Sequence, residues 1–334
     1  MIGIVNLPLN PYSEFFQGRK VLVTGAAGHL GSQLVKQLIA YGTQVAILVR
    51  SSTDLWRIKG MQDICRVYHG DIQRLDIAAL QEQVPTVDTL YHLAAQGVNP
   101  QQQNVPLMME TNIGGTLNAL ELARCLKVRR FIYCGSCFEY GRGECLNEDN
   151  PLLPISEYGM SKAAGWILVN TFFRKYGLPV VSLRPFTLYG PYEAKHRLIP
   201  FVMSHVLECK DIDLTDGDQA RDWVYVDDAV EAFLKAAMVE AIEGQTFNVA
   251  TGRSTTVKEV VAMILGQMNT SVNLKWGALP KRVDELGVVT GCTAKAQQSL
   301  HWQAQTALPE GLAKTICWFK DNRHKYLITD KADL

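Results

Sequence analysis

The chain has 334 residues, 47% of them hydrophobic and 20% charged, and its 33 Lys and Arg residues balance 33 Asp and Glu. That composition supports a sizeable buried core and excludes a disordered chain, and the absence of any block of like charge excludes a nucleic-acid or membrane-surface footprint. The expected partner is a small molecule, with no nucleic acid and no membrane involved. No apolar run reaches the roughly 20 residues of a membrane span. The first residues, MIGIVNLPLNPYSEFF, lack a basic segment followed by an apolar core, so a cytoplasmic location is expected.

In chain order, residues 1–17 read as an N-terminal extension. Residues 19–24 form a short apolar strand, residues 30–40 show helical periodicity through Leu30, Leu34, Val35 and Leu38, and residues 44–49 form a β-branched strand, which together make one βαβ unit. Further strands are expected at 65–69, 89–93, 130–134 and 179–183, separated by helices at 77–83, 105–126 and 157–176. Strands joined by crossover helices imply a doubly wound parallel sheet, an α/β domain of Rossmann type over residues 18–184. Beyond Arg184, Pro and Gly punctuation alternates with shorter helices at 198–208, 226–240, 256–268 and 309–322. Residues 185–334 are expected to form a smaller, mixed and mainly substrate-binding domain, from which the chain crosses back to the first. Its role is to cover the carboxyl ends of the strands, where α/β sheets bind ligands.

The stretch TGAAGHLG, residues 24–31, lies between the first strand and the first helix. In that context Gly25 permits a tight turn, Gly28 lets the backbone approach a pyrophosphate, and Gly31 lets the helix pack on the strand. The helix N-terminus, opened by His29 and Leu30, faces the phosphates. A dinucleotide site is therefore expected. An NAD site places an acid about 20 residues past the glycines for the ribose 2′-hydroxyl. The chain instead reads Val49-Arg50-Ser51-Ser52, with Arg57 beyond, a cation and two hydroxyls suited to a 2′-phosphate. The expected cofactor is NADP(H), with NAD(H) as the alternative.

Tyr158 and Lys162 stand four residues apart at the start of a predicted helix, on one face. An ammonium beside a phenol stabilises the phenolate, so Tyr158 can act as acid or base nearer to neutral pH. Taken alone, this spacing is common on amphipathic helices. Ser136 follows the strand at 130–134, at the carboxyl end of the sheet, where its hydroxyl can hydrogen-bond the substrate oxygen that Tyr158 protonates or deprotonates. The eight cysteines (Cys65, Cys125, Cys134, Cys137, Cys145, Cys209, Cys292 and Cys317) contain one CxxC, with neither a second pair nor histidines at ligand spacing. No metal site is expected, and the cysteines read as thiols of a reducing compartment.

Together with TGAAGHLG and Tyr158 to Lys162, the chain carries Gly70-Asp71-Ile72, His92-Leu93-Ala94-Ala95, Asn112-Ile113-Gly114-Gly115-Thr116, and Cys134-Gly135-Ser136 followed by Glu139-Tyr140-Gly141. It also carries Leu183-Arg184-Pro185, Leu188-Tyr189-Gly190-Pro191, Arg221 to Asp228 (RDWVYVDD), Leu300 and Trp302. With these motifs, from about residue 18 onward, it resembles the extended short-chain dehydrogenase/reductases, and within them the branch acting on nucleotide-activated sugars.

The resemblance implies that Asp71 and Ile72 contact the adenine, that Leu93, Ala94 and Ala95 line the cofactor with Asn112 close by, and that Lys162 binds the nicotinamide ribose. It makes Ser136, Tyr158 and Lys162 the catalytic triad, and it assigns Arg221 and Arg282 to the nucleotide diphosphate, with Gln96 and Thr187 on the substrate side. A guanidinium fork suits a pyrophosphate, although outside the family context a surface ion pair of Arg221 with Asp222 or Asp218 is the simpler reading. Thr187 stands where the family often has an asparagine.

Where 4,6-dehydratases of the family carry an acidic pair after the catalytic hydroxyl, this chain has Cys137 and Phe138, and Glu139 falls one position late. That disfavours water elimination, which needs an acid and a base. The leading expectation is an NADPH-dependent reductase of a 4-keto nucleotide sugar, followed by a 4-epimerase holding its cofactor tightly, then by a dehydratase. A non-catalytic cofactor sensor is the alternative of a different class. The resemblance also suggests a homodimer built on helices 105–126 and 157–176, whose Leu117, Leu120, Ile167, Leu168 and Phe172 are equally explained by burial against their own sheet.

Overall fold

The fold is given by a computed structural model that describes residues 10–84, 86–98 and 104–327. The first half runs α1 (Pro11–Phe16), β1 (Lys20–Thr24), α2 (His29–Ala40), β2 (Gln44–Val49), β3 (Arg66–His69), α3 (Ile77–Gln83), β4 (Thr89–His92), α4 (Val105–Met109), α5 (Gly115–Cys125), β5 (Arg130–Cys134), β6 (Gly143–Leu146) and α6 (Glu157–Tyr176). The second half runs β7 (Val180–Pro185), β8 (Thr187–Tyr189), α7 (Leu198–Leu207), β9 (Ile212–Asp213), β10 (Ala220–Tyr225), α8 (Val226–Met238), β11 (Thr246–Val249), β12 (Ser254–Thr256), α9 (Val257–Met268), β13 (Leu274–Lys275), β14 (Val288–Gly291), α10 (Ala294–Ser299), α11 (Leu308–Asn322) and α12 (His324–Leu327).

Seven strands form one sheet in the order β11-β7-β5-β4-β1-β2-β3. The pairings β3/β2, β2/β1, β1/β4, β4/β5 and β5/β7 are all parallel. The order reverses at β1, so the carboxyl ends of β1 and β4 flank the crevice in which doubly wound sheets bind ligands. Helices pack their apolar faces on this sheet, and Leu22, Leu90, Leu120, Leu122, Phe131 and Val169 in that core are all fully buried.

The chain divides into two compact units, one of residues 1–135, 160–183 and 230–247, the other of residues 136–159, 184–229 and 248–334. The second unit has its own sheet, β12-β10-β14-β6 with β8 also on β10, and its own core around Tyr189, Ile199, Val202, Val260, Ile264, Leu312 and Phe319. The predicted strands and helices of the first half fall within a residue or two of the observed ones, with one correction. Helix 105–126 is interrupted by a π-helical turn at Glu110–Gly114. There the hydroxyls of Thr111 and Thr116 donate to the carbonyls of Leu107 and Asn112 at 2.8 and 2.6 Å, and side-chain bonds of this kind compete with the regular ladder. Helix 226–240 stops at Met238. The short strands of the second unit carry no period long enough to be seen in the sequence.

Candidate active site

β1 delivers its last residue, Thr24, into the glycine turn. Gly25 has a φ of +71°, and a β-carbon there would sit 2.6 Å from the backbone nitrogen of Ala94. A β-carbon at Gly31 would run into the carbonyl of Gly25, so these two glycines serve chain-to-chain contact. Gly28 differs: it is exposed, and its added β-carbon would meet only the Gly25 carbonyl, at 3.2 Å. It caps α2 without any side-chain hydrogen bond, so the first amides of the helix face outward with room for a phosphate to approach. These residues fit a dinucleotide. Arg50 and Ser51 are exposed just past β2, and Arg57 donates from Nη1 to the Ala27 carbonyl at 3.4 Å, with its guanidinium 4.5 Å from the Trp56 ring. Asp71 caps the short helix Ile72–Arg74 by accepting from the Gln73 amide at 3.0 Å, and Ile72 is buried.

A buried polar chain ties this turn to α6. Thr24 Oγ1 lies 2.8 Å from His92 Nδ1, and His92 Nε2 lies 3.1 Å from Thr116 Oγ1. Asn112 donates from Nδ2 to Ser161 Oγ at 2.8 Å and to the Gln96 carbonyl at 2.9 Å, while its Oδ1 accepts from the Gln96 amide at 2.8 Å. Thus Gln96, Asn112 and Ser161 hold the loop that continues from Leu93, Ala94 and Ala95 against the turn of α6 that carries Lys162. Lys162 is 2% exposed, with Nζ 4.8 Å from the centre of the Tyr133 ring, and its carbonyl accepts from Tyr133 Oη at 3.0 Å.

Burial, and then the Lys162 charge, lower the His92 pKa to about 3. The imidazole is therefore neutral in the folded state, while an unfolded chain takes up the proton near pH 6.5. Stability from this group is complete above pH 6.5 and falls as the pH drops from there towards 3. Glu193, raised to about 7 by burial, works in the opposite direction between pH 7 and 4.5. The stability difference between the natural protein and a His92→Gln variant isolates the first effect. It should shrink by about 1.4 kcal/mol per pH unit once the pH is well below 6.5. Urea titrations at pH 7.5, 6 and 5 would measure it, and a difference constant with pH would contradict the neutral, buried histidine.

In the second unit, Ser136 opens a capping box: its Oγ accepts from the Phe138 amide at 3.2 Å, and its own amide donates to Glu139 Oε1 at 2.8 Å. Glu139 is fully buried, and its Oε2 accepts from Arg184 Nε at 2.7 Å. Arg184 Nη1 donates to Tyr140 Oη at 2.8 Å, and Tyr140 donates to Asn248 Oδ1 at 2.8 Å. Burial opposes the Arg184 charge, but Glu139 and Tyr140 outweigh it and hold its pKa above the ordinary value. Burial pushes the Cys137 thiol up to about 12, so it stays neutral beside Ser136 and Arg221. Tyr158 stands edge-on to Phe138, with ring centres 5.9 Å apart. Gly159 permits this, because a β-carbon there would strike the Phe138 carbonyl. Tyr158 and Lys162 both lie in α6, one turn apart.

Arg221 pairs with Glu285 and donates to the carbonyls of Ala220 and Gly287. Asp222, the partner suggested by adjacency, is committed elsewhere: it accepts from Thr251, Gly252 and Gly291 amides at 2.8, 2.9 and 3.3 Å. Arg282 lies 3.6 Å from the other oxygen of Glu285. Arg142, Lys281, Arg282 and Glu285 line a cavity of about 340 Å³. Thr187, in β8, sits opposite Trp223 in β10. Sequence reasoning missed Glu285 and Asn248, since neither belongs to a run with its own periodicity.

An open glycine turn at the switch point of a parallel sheet, with Tyr158 and Lys162 one turn apart on α6, defines an α/β enzyme of the dinucleotide-dependent kind. Comparison with known proteins makes the class specific. The NAD dependent epimerase/dehydratase family matches residues 21–250, and the chain belongs to it. It is 31% identical to the UDP-glucose 4-epimerase of Mycolicibacterium smegmatis, over 90% of this chain and 99% of that one. Among solved structures it is similar to the UDP-glucose 4-epimerase of Thermotoga maritima with UDP-glucose, at 27% identity and a TM-score of 0.83, covering 91% of this chain and 99% of that one. It is likewise similar to the dTDP-glucose 4,6-dehydratase DesIV of Streptomyces venezuelae with NAD, at 27% identity and a TM-score of 0.85, covering 92% and 98%. The protein is accordingly an enzyme of the extended short-chain dehydrogenase/reductase type, with nucleotide-sugar 4-epimerases and 4,6-dehydratases as relatives. Among the described residues, no helix is long and apolar enough to cross a membrane.

Proposed function

We propose that this enzyme moves a hydride at C4 of a nucleotide-diphosphate sugar without eliminating water, and that the net reaction is reduction of a 4-keto sugar by NADPH. One observation carries the exclusion of elimination: none of the three residues after Ser136 offers an available acid. Cys137 is a neutral buried thiol, Phe138 is apolar, and Glu139 is fully buried against Arg184. A bound nicotinamide dinucleotide supplies the hydride. Tyr158 gives its proton to the C4 oxygen, Ser136 holds that oxygen by a hydrogen bond, and the Lys162 cation favours the phenolate left on Tyr158. Arg221 and Arg282 bind the diphosphate, exchanging their contacts with Glu285 for phosphate oxygens.

The choice of NADP(H) rests on the lack of an acid at the end of β2, on exposed Arg50 and Ser51, and on Arg57 against the glycine turn. Arg50→Ala is expected to weaken NADPH binding about 10-fold or more and to leave NADH binding unchanged, as befits loss of a charged hydrogen bond worth about 1.5–3 kcal/mol. Equal weakening of both cofactors, read by fluorescence titration, would contradict a 2′-phosphate contact. A 4-epimerase is the second reading, favoured by the 31% identical relative. Incubation with NADPH and a panel of 4-keto nucleotide sugars distinguishes the two. Stoichiometric NADPH oxidation supports the reductase; interconversion of C4 epimers with tightly retained NAD and no net oxidation overturns it.

We also propose that two copies pair through α5 and α6. Leu120 and Phe172 are spent on the unit's own core, but Leu117 and Ile167 are 40% and 57% exposed, more than burial against the sheet explains. Leu117→Glu combined with Ile167→Glu should yield a folded monomer in light scattering, and a natural chain already monomeric would refute the pairing.

A further inference from the structure

We propose that Cys145 and Cys292 are a modification site, which a low-molecular-weight disulfide oxidises reversibly to an intramolecular cross-link between β6 and β14. The two strands run parallel, with Val289 opposite Gly143 but Gly291 opposite Leu146, so β6 carries one residue more than its partner. Cys145 lies in that surplus length with a φ of +49°. Such a left-handed conformation is unusual for a residue with a β-carbon, and bulges of this kind re-aim a side chain. Cys292, directly after β14, is held in place by its amide, which donates to the Leu146 carbonyl at 2.8 Å.

That backbone bond sets Cys292 beside the bulged stretch that carries Cys145, near enough for the neighbouring Cys292 thiol to hold the Cys145 thiol above its ordinary pKa. Cys145 is exposed and Cys292 half-buried, so an oxidant reaches one sulfur while the second stands beside it. Cys65 and Cys137, by contrast, are buried.

The chemistry balances without further reagents. The Cys145 thiolate attacks one sulfur of the small disulfide and expels one thiolate. Cys292, deprotonated, then attacks the Cys145 sulfur, forms the protein S–S bond and expels the second thiolate. The protein loses two electrons and two protons, and the oxidant leaves as two thiols. The bond would lock β6 to β14 at a sensitive place. The Leu146 carbonyl also accepts from Asn248 Nδ2 at 2.8 Å, the far end of the chain that runs from Glu139 through Arg184 and Tyr140. β14 itself begins in the wall of the cavity lined by Arg142, Lys281 and Arg282. The cross-link does not depend on which sugar or cofactor the enzyme uses.

The test treats the full-length natural chain, Cys145→Ser and Cys292→Ser with oxidised glutathione, then blocks free thiols and maps the peptides by mass spectrometry. In the natural chain the Cys145 and Cys292 peptides should be joined, and dithiothreitol should separate them. Cys292→Ser should stop at a glutathione adduct on Cys145, and Cys145→Ser should form no cross-link. A natural chain that keeps both thiols, stops at the mixed disulfide, or joins a different pair of cysteines overturns the proposal.

Discussion

Tyr158→Phe is expected to lower kcat by about 10²–10⁴-fold while dinucleotide binding persists, the range for losing a positioned general acid or base. The substitution removes one hydroxyl and keeps the ring that stands edge-on to Phe138 at 5.9 Å and 78°. Urea unfolding of the variant, measured beside its turnover, separates a loss of the proton from a loss of folding. Lys162→Met makes a complementary test. Lys162 is 2% exposed and its charge also acts on His92, so its loss should alter stability as well as rate. The decisive readout is the pH dependence of kcat/KM: without the cation, the limb that reports phenolate formation should move to higher pH. Undiminished turnover in Tyr158→Phe would remove that residue from the reaction and, with it, the reductase and epimerase readings alike.

How much of this was legible in the sequence follows from where the information lies. The βαβ unit around TGAAGHLG could be read because each step is local: a strand period, three glycines, then a helical period. The structure places Gly25 and Gly31 in backbone contact and leaves Gly28 open, which is the division of labour their spacing suggests. Arg221 could be singled out, but not its partner. Adjacency pointed to Asp222 or Asp218, whereas Glu285, 64 positions away, supplies the carboxylate. The π-turn at Glu110–Gly114 escaped detection because the apolar periodicity runs on through it. In the same way the second unit's main sheet is built from strands of three to six residues, too short for alternation to stand out against Gly and Pro punctuation. Non-local polar pairing and short strands are the common cause of both failures, because each is fixed by tertiary contact rather than by a repeating pattern.

Glu139→Ala is expected to destabilise the protein by about 3–5 kcal/mol, as does removal of one partner from a buried ion pair. The side chains of Glu139 and Arg184 are 0% and 1% exposed, so the guanidinium left behind has no water to take the carboxylate's place. The loss extends further, since the Ser136 amide gives up its acceptor at 2.8 Å, and a buried amide without a partner adds its own desolvation penalty. Glu139→Gln keeps an acceptor for that amide while deleting the charge, and should cost less than alanine. Replacing both partners by apolar residues of similar size, Glu139→Leu with Arg184→Met, should recover much of the stability, because a buried pair seldom outperforms packed hydrocarbon. Its activity should not recover, since the capping box that fixes Ser136 needs a carboxylate or amide at position 139. Urea unfolding and turnover measured on the three variants would separate the two roles. If Glu139→Ala unfolds within about 1 kcal/mol of the natural chain, Glu139 is not the buried anchor of this turn. In that case it is free to act as the acid that elimination would require, and the dehydratase reading returns.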